Sequence, residues 1–287
     1  MDKPRKDNQG IVLPFPFIFT LRFLEFINSY LGMRLAAFFF AKPFKYKILE
    51  REIPVLSAAQ KSSVHIKSIY KSVCFYRWPG KGPKIVLLHG WSGRASNFFK
   101  IIEALIREDY DVYAFDAPAH GESPGVTTNL PEFIHSLQTL IDNRGPFEAI
   151  VGHSGGGFAS TFVVAHNPEI KKLILISPFD KVLDVFEKYF DLIQLGPKAR
   201  KLMIQYFNHK TGKKIEELSS SNLAQSIECK SLLIHDQNDR EVSFSDGINI
   251  DKNLKNGTLI GTNGLGHRRI LRDERVVNEI LNFLKFK

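Results

Sequence analysis

The sequence predicts an α/β fold: a mostly parallel sheet flanked by helices on both faces, with a helical insertion. Three observations point there. Short apolar runs with no polar face, at residues 85–88 and 173–176, alternate with amphipathic stretches such as residues 96–108. Strands of that kind are buried on both faces, as parallel crossover connections require. The alternation then lapses over residues 178–227, where helical pattern continues without a strand between Pro178 and Pro197 breaks and beyond. Finally, a chain of 287 residues that is 44% hydrophobic and 24% charged can bury a sizeable core, which excludes wholesale disorder.

Residues 1–62 read as an extension. A polar, basic start (1–10) leads into an uncharged stretch, 11–21, which contains Pro14 and Pro16 and is followed by Arg22, Glu25 and Arg34. That run is shorter than the roughly 20 residues needed to span a bilayer. Two prolines where a secretory apolar region would lie, and no A-x-A-like cleavage site, argue against a signal peptide. From Pro16 to Phe40, Arg22, Glu25 and Ser29 recur at helical spacing, predicting an otherwise apolar helix with one narrow polar stripe. Such a helix must be covered, either by the domain or a second subunit, or by a membrane surface.

Residues 64–70 and 73–78 read as a hairpin-like strand pair closed by Pro79-Gly80-Lys81-Gly82-Pro83. Strands are expected at 85–88, 112–115, 149–151 and 173–176, separated by helices at 96–108, 130–143 and 158–166. Helices at 182–195 and 198–207 make the insertion, strands resume at 232–234 and 258–260, and a helix over 274–286 closes the chain. The expected organisation is an N-terminal apolar, basic extension (1–62), a first core part (63–177), a helical cap (178–227) and a second core part (228–287).

The formal charge is +9, from 39 basic and 30 acidic residues. Ten basic and five acidic residues fall in the first 62, and nine of the 24 phenylalanines fall in the first 44. The remainder carries no basic run with interleaved aromatics and no helix-turn-helix, zinc-finger or RNP pattern, so nucleic acid is not an expected partner. Cys74 and Cys229 are too few for a disulfide framework or a cysteine zinc site and read as small core residues near strands.

The sharpest local feature is Gly152-His153-Ser154-Gly155-Gly156, which follows a strand and opens a helix. In a G-x-S-x-G elbow the turn strains the serine backbone, and side chains at the flanking glycines would collide with neighbouring chain. Ser154 would then stand at the carboxyl edge of the sheet beside helix N–H groups able to receive an oxyanion. A phosphate loop is excluded because the G-K-[ST] ending and the G-x-G-x-x-G spacing are missing. A serine nucleophile needs a base oriented by a carboxylate. Asp239, deeper in the loop after residues 232–234 than Asp236, is the expected acid; Asp236 is expected to fix the turn. His267, in a Gly-flanked loop after residues 258–260, is the expected base. His65, His120, His135, His166 and His209 show no zinc spacing, so solvated or capping roles are expected, with no metal and no cofactor.

With these residues, residues 63–287 resemble an α/β-hydrolase of the serine esterase and lipase type. His89-Gly90-Trp91-Ser92-Gly93 resembles the H-G-x-x-G oxyanion loop of that family, and residues 116–123 (DAPAHGES) resemble its D-x-x-G-H-G-x-S loop. The resemblance implies that the N–H groups of Trp91 and Gly155 form the oxyanion hole and that His89 and His153 support loops. It departs at Ala119, where the family usually has Gly, and at His235-Asp236, in place of His-Gly. Serine at the nucleophile position disfavours relatives that work through an aspartyl ester.

The expected function is hydrolysis of carboxylic esters, including lipid-like ones, through an acyl-enzyme. The same triad would serve a thioesterase, lactonase or acyltransferase, and a non-catalytic binding protein of this fold is the alternative from another class. Tyr189, Phe190, Met203, Tyr206 and Phe207 read as cap core or, alternatively, as an acyl pocket. The expected partners are a small-molecule ester and, through residues 11–44, a membrane surface or a second copy. The expected location is the cytoplasm, at the membrane periphery if that segment docks there.

Overall fold

The structure is a computed structural model that describes residues 15–285; the polar start at 1–10 lies outside the described residues. In chain order the elements are α1 (Phe15–Ile27), α2 (Ser29–Phe40), α3 (Ile53–Ser57), β1 (Gln60–Ile66), β2 (Lys71–Trp78), β3 (Lys84–Leu88), α4 (Phe99–Arg107), β4 (Asp111–Asp116), α5 (Leu130–Arg144), β5 (Ala149–His153), α6 (Gly155–Ala165), β6 (Lys172–Ile176), α7 (Val182–Leu192), α8 (Pro197–Thr211), α9 (Ser220–Ala224), β7 (Lys230–Asp236), α10 (Phe244–Asp251), β8 (Gly257–Thr262), α11 (Gly266–Arg269) and α12 (Glu274–Lys285). They fall into two compact units. One holds α1 and α2 together with residues Val182–Leu218; the other holds the remainder.

The larger unit is built on an eight-stranded sheet in the order β1-β2-β4-β3-β5-β6-β7-β8. β1 and β2 are antiparallel to their neighbours, and β4 through β8 run parallel. β4, β5 and β6 are buried along their whole length, as their apolar sequences require. Successive residues serve opposite faces: Ile85 and Leu87 join one core with Ile102, Leu105 and Ile280 from α4 and α12. Val86 and Leu88 join the other, with Phe133 and Leu137 of α5, Val163 of α6 and Ile250 of α10. The first strand differs from expectation: it begins at Gln60 and ends at Ile66, and Lys67–Ile69 form a 3-10 turn. Its register with β2 runs from Gln60 opposite Arg77 to Ile66 opposite Lys71, so a polar, exposed edge strand was hidden by its lack of apolar alternation.

The smaller unit corrects the single N-terminal helix. Asn28 breaks it into two by accepting a hydrogen bond from the Tyr30 N–H at 2.8 Å, an N-cap that starts α2 in a new direction. The two helices form an antiparallel hairpin, since the Phe17 and Phe39 rings meet at 4.8 Å. Gly32 permits the close crossing: a Cβ there would lie 2.9 Å from the Glu25 Cβ. Phe40 packs among Phe186, Tyr189 and Phe207 at 4.5, 4.9 and 5.7 Å, and the Tyr189 hydroxyl donates to the Ala36 carbonyl at 2.8 Å. Phe190, Met203 and Phe207 are buried. Phe186, Phe190, Met203 and Phe207 are thus core of this unit.

The predicted polar stripe of α1 has a definite use. Glu25 Oε2 accepts the Gly196 N–H at 3.2 Å, at the N-cap of α8, and Arg22 donates to Gln194 Oε1 at 3.1 Å. A carboxylate at a helix N-terminus satisfies an orphan N–H and meets the positive end of the helix dipole. Glu25→Ala is expected to cost about 1 kcal/mol and to speed amide hydrogen exchange selectively in the first turn of α8. Unchanged exchange at Gly196 and its neighbours would disprove the capping role.

Candidate active site

β5 delivers the chain to a turn in which Ser154 has φ 52° and ψ −119°, and α6 begins at the next residue. A left-handed serine persists only where its surroundings enforce it. Two glycines make the turn possible. A Cβ on Gly156 would lie 2.2 Å from the Leu88 carbonyl oxygen, and one on Gly152 would lie 2.7 Å from the Gly156 oxygen. Gly155 is different, with nothing nearer than 3.7 Å to its Cβ position; one of the two atoms there is the Trp91 nitrogen. The two main-chain amides that the family resemblance pairs as oxyanion donors are therefore neighbours. Ser154 N–H donates to the Ile176 carbonyl at 3.0 Å, tying the elbow to the end of β6.

The Trp91 loop is held by two reciprocal imidazole contacts. His89 Nε2 accepts the Ala117 N–H at 3.0 Å, and His120 Nε2 accepts the Ser92 N–H at 2.9 Å. Each histidine of one loop thus receives an amide of the other. To accept, both must be neutral at Nε2, and Nδ1–H then donates to a carbonyl, that of Gly90 at 2.7 Å for His89 and that of Pro118 at 3.0 Å for His120. Burial pushes His89 down to about 4; burial and the neighbouring His89 push His120 down to about 3. Of the solvated or capping roles expected of His120, the first is corrected: the ring is buried and accepts a main-chain amide. Beneath them, Asp116 accepts the N–H groups of Ala95 and Glu122 and the Tyr76 hydroxyl at 2.7–2.8 Å. Ala119, in place of the usual glycine, sits at φ 64°, the left-handed region that glycine fills without strain.

Asp239, in the loop after β7, meets His267 of α11, a short helix where the sequence suggested a loop. His267 Nδ1 lies 2.7 Å from Asp239 Oδ2, and both side chains are almost wholly buried. A carboxylate can only accept, so Nδ1 carries a proton and donates to it. Burial would raise the Asp239 carboxyl, but hydrogen bonds from His235, His267 and the Val242 N–H outweigh it and hold the group well below the ordinary carboxylate range. Its Oδ1 accepts the N–H groups of Glu241 and Val242 at 2.8 and 3.0 Å.

The elbow reaches this pair through His153. Its Nε2–H donates to the His267 carbonyl at 2.8 Å and the two rings lie 4.7 Å apart. Burial, with the neighbouring His267, keeps the His153 pKa well below its ordinary value. Among the described residues no hydrogen bond joins Ser154 Oγ to His267; such contacts commonly close only when substrate is bound. The structure thus joins Asp239 to His267 directly, Trp91 to Gly155 by proximity, and Ser154 to His267 through the adjacent residue.

Two further residues hold the pair. His235, fully buried, places Nε2 3.5 Å from Asp239 Oδ2 and 3.2 Å from the Val242 carbonyl. The sequence singled it out only in the His235-Asp236 pair after the strand and gave it no role at the site. Asp236 does more than fix its own turn: it accepts the Asn238 N–H at 3.0 Å, the Thr262 hydroxyl at 2.8 Å and the Leu265 N–H at 2.9 Å. One buried carboxylate therefore ties the acid loop to the histidine loop, and its presence where the family usually has glycine was the available signal.

Comparison with known proteins bears on the fold. A family model described as the alpha/beta hydrolase fold matches residues 83–263. A pimeloyl-[acyl-carrier protein] methyl ester esterase of Xylella fastidiosa is 30% identical over 100 residues, covering 34% of this chain and 37% of that protein. The match spans little more than a third of such relatives. Among solved structures, an esterase of Pyrococcus furiosus, Pf2001, superposes with TM-score 0.66 at 19% identity over 85% of this chain and 98% of its own. A bacterial membrane phospholipase A superposes with TM-score 0.62 at 18% identity over 94% and 97%.

Gly156→Ala is expected to destabilise the protein by at least about 2 kcal/mol, because the methyl meets main chain that cannot yield. Gly155→Ala should stay within about 1 kcal/mol of wild type. Equal urea midpoints for the two variants would contradict the packing described. A second expectation concerns pH. His89 and His120 are neutral in the fold but take protons in the unfolded chain near the ordinary value of 6.5. Their contribution is complete above that pH and is lost as pH falls toward about 4 and about 3. The slope should be roughly 1.4 kcal/mol per pH unit for each histidine. Unfolding free energies of wild type and His120→Asn between neutrality and mild acid test this; an unchanged slope in the variant would contradict it.

Proposed function

The chain belongs to the α/β-hydrolase fold family, and from that premise we propose that it hydrolyses carboxylic esters of apolar acyl chains through a Ser154 acyl-enzyme. The observation that carries the reading is the Asp239–His267 hydrogen bond of 2.7 Å, beside a serine held at φ 52°. In this mechanism His267 Nε2 takes the Ser154 hydroxyl proton as Oγ attacks the ester carbonyl carbon. Asp239 keeps Nδ1 protonated and stabilises the imidazolium that forms. The Trp91 and Gly155 N–H groups receive the charge that develops on the carbonyl oxygen, aided by the N-terminus of α6. The imidazolium then protonates the leaving alkoxide. Water, deprotonated by the same imidazole, attacks the acyl-serine and releases the acid.

His153, neutral and donating to the His267 carbonyl, fixes the main chain of the base without adding a second positive charge beside it. The acyl preference draws on the named relatives: one cleaves a methyl ester of a carrier-bound acyl chain and another is a membrane phospholipase. Serine at position 154 supplies the nucleophile for esters and thioesters alike, so the leaving group is the part that a substrate panel must decide.

A fluorophosphonate probe should label the wild type and leave Ser154→Ala unlabelled. On a p-nitrophenyl ester series, kcat should rise from acetate to medium chains, fall by at least about 10³-fold in Ser154→Ala and His267→Ala, and fall about 10³–10⁴-fold in Asp239→Asn. Equal labelling of wild type and Ser154→Ala would overturn the nucleophile. Activity confined to acetate would overturn the acyl preference, and turnover of acyl thioesters far above esters would reassign the leaving group.

A further inference from the structure

We infer that the outward aromatic face of the α1–α2 hairpin docks on the surface of an anionic phospholipid bilayer. The inference stands apart from the proposed esterase chemistry and rests on how α1 is turned. On a helix of a water-soluble unit the apolar stripe faces inward and charges face solvent. On α1, Leu21 and the half-buried Glu25 face the unit, and Glu25 and Arg22 spend their polar atoms on Gly196 and Gln194. The surface side carries Phe19, Phe23, Phe26 and Ile27 at 61, 54, 90 and 57% exposure, at helical spacings of four, three and one, and Tyr30 and Leu31 extend it onto α2. Large apolar side chains gathered at this density mark an interaction surface.

The occupant follows from length and charge. α1 has 13 residues, about 20 Å of helix, against a hydrocarbon core of about 30 Å. No helix among the described residues is long and apolar enough to cross a membrane. A helix of this kind lies in the interface, its apolar face entering the boundary between headgroups and acyl chains. Arg34 is exposed on α2 between Leu31 and Phe38, its guanidinium 5.6 Å from the centre of the Tyr206 ring, and the first 62 residues carry twice as many basic as acidic side chains. Anionic headgroups complement that charge. A second copy would set the same basic extension against itself, in a chain already at +9.

The test is cosedimentation of the full-length protein with phosphatidylglycerol–phosphatidylcholine vesicles and with pure phosphatidylcholine vesicles. Wild type should partition to the anionic vesicles, less so at high salt. F19S/F23S/F26S should partition roughly 100-fold less while keeping its melting temperature. Phe26→Ser alone, at the most exposed position, should lose roughly tenfold with no effect on packing. Variants that bind as wild type does, or a wild type that ignores both vesicles, overturn the inference. Equal binding to neutral vesicles overturns its electrostatic half. A dimer in gel filtration that the triple variant abolishes, without vesicle binding, assigns the face to a second copy instead.

Discussion

Everything at the candidate site depends on one steric constraint: a left-handed serine with the main chain of a neighbouring strand pressed against its turn. The Leu88 and His89 carbonyls come so close to Gly156 that no side chain fits between them. This contact sets the start of α6, brings the Trp91 amide beside Gly155, and leaves His153 inside, where it reaches the carbonyl of His267. The eight-stranded sheet makes the constraint affordable. β3 and β5 are adjacent and parallel, so the loops leaving their carboxyl ends must meet.

Around that turn burial sorts the titratable groups by sign. His89, His120 and His153 give up the protonated form, and their neutral rings serve as two-ended struts between loops. Asp239 and Asp236 stay ionised despite burial, because main-chain amides and side-chain donors surround them. The two ionised carboxylates sit with His267, while the neutral rings brace the elbow and the loops at residues 89–93 and 116–123.

Much of this was legible in the sequence because the relevant physics is local. G-x-S-x-G, H-G-x-x-G and the loop beginning at Asp116 each specify a backbone shape within a few residues, and continuous apolar strands specify a sheet with two covered faces. What escaped was settled by contacts distant in sequence. His120 read as a solvated or capping histidine because its partner, the Ser92 amide, is 28 residues away. Asp236 looked like a local turn former because two of its donors, Thr262 and Leu265, lie at the end of β8 and just beyond it. The polar first half of β1 carried no alternation because an edge strand is held by its register with one neighbour. The break at Asn28 was a cap in the midst of phenylalanines, where periodicity alone reads straight through.

The smaller unit joins a hairpin complete by Ala41 to helices that begin at Val182. On a ribosome adding 5–20 residues each second, roughly ten seconds separate the appearance of the two halves. During that interval Phe40 has none of the ring partners it later finds in Phe186, Tyr189 and Phe207. The nascent hairpin is apolar on both sides and must be shielded until its partners are made. Biogenesis, and not only the finished fold, therefore sets a demand for an apolar surface or a chaperone early in synthesis.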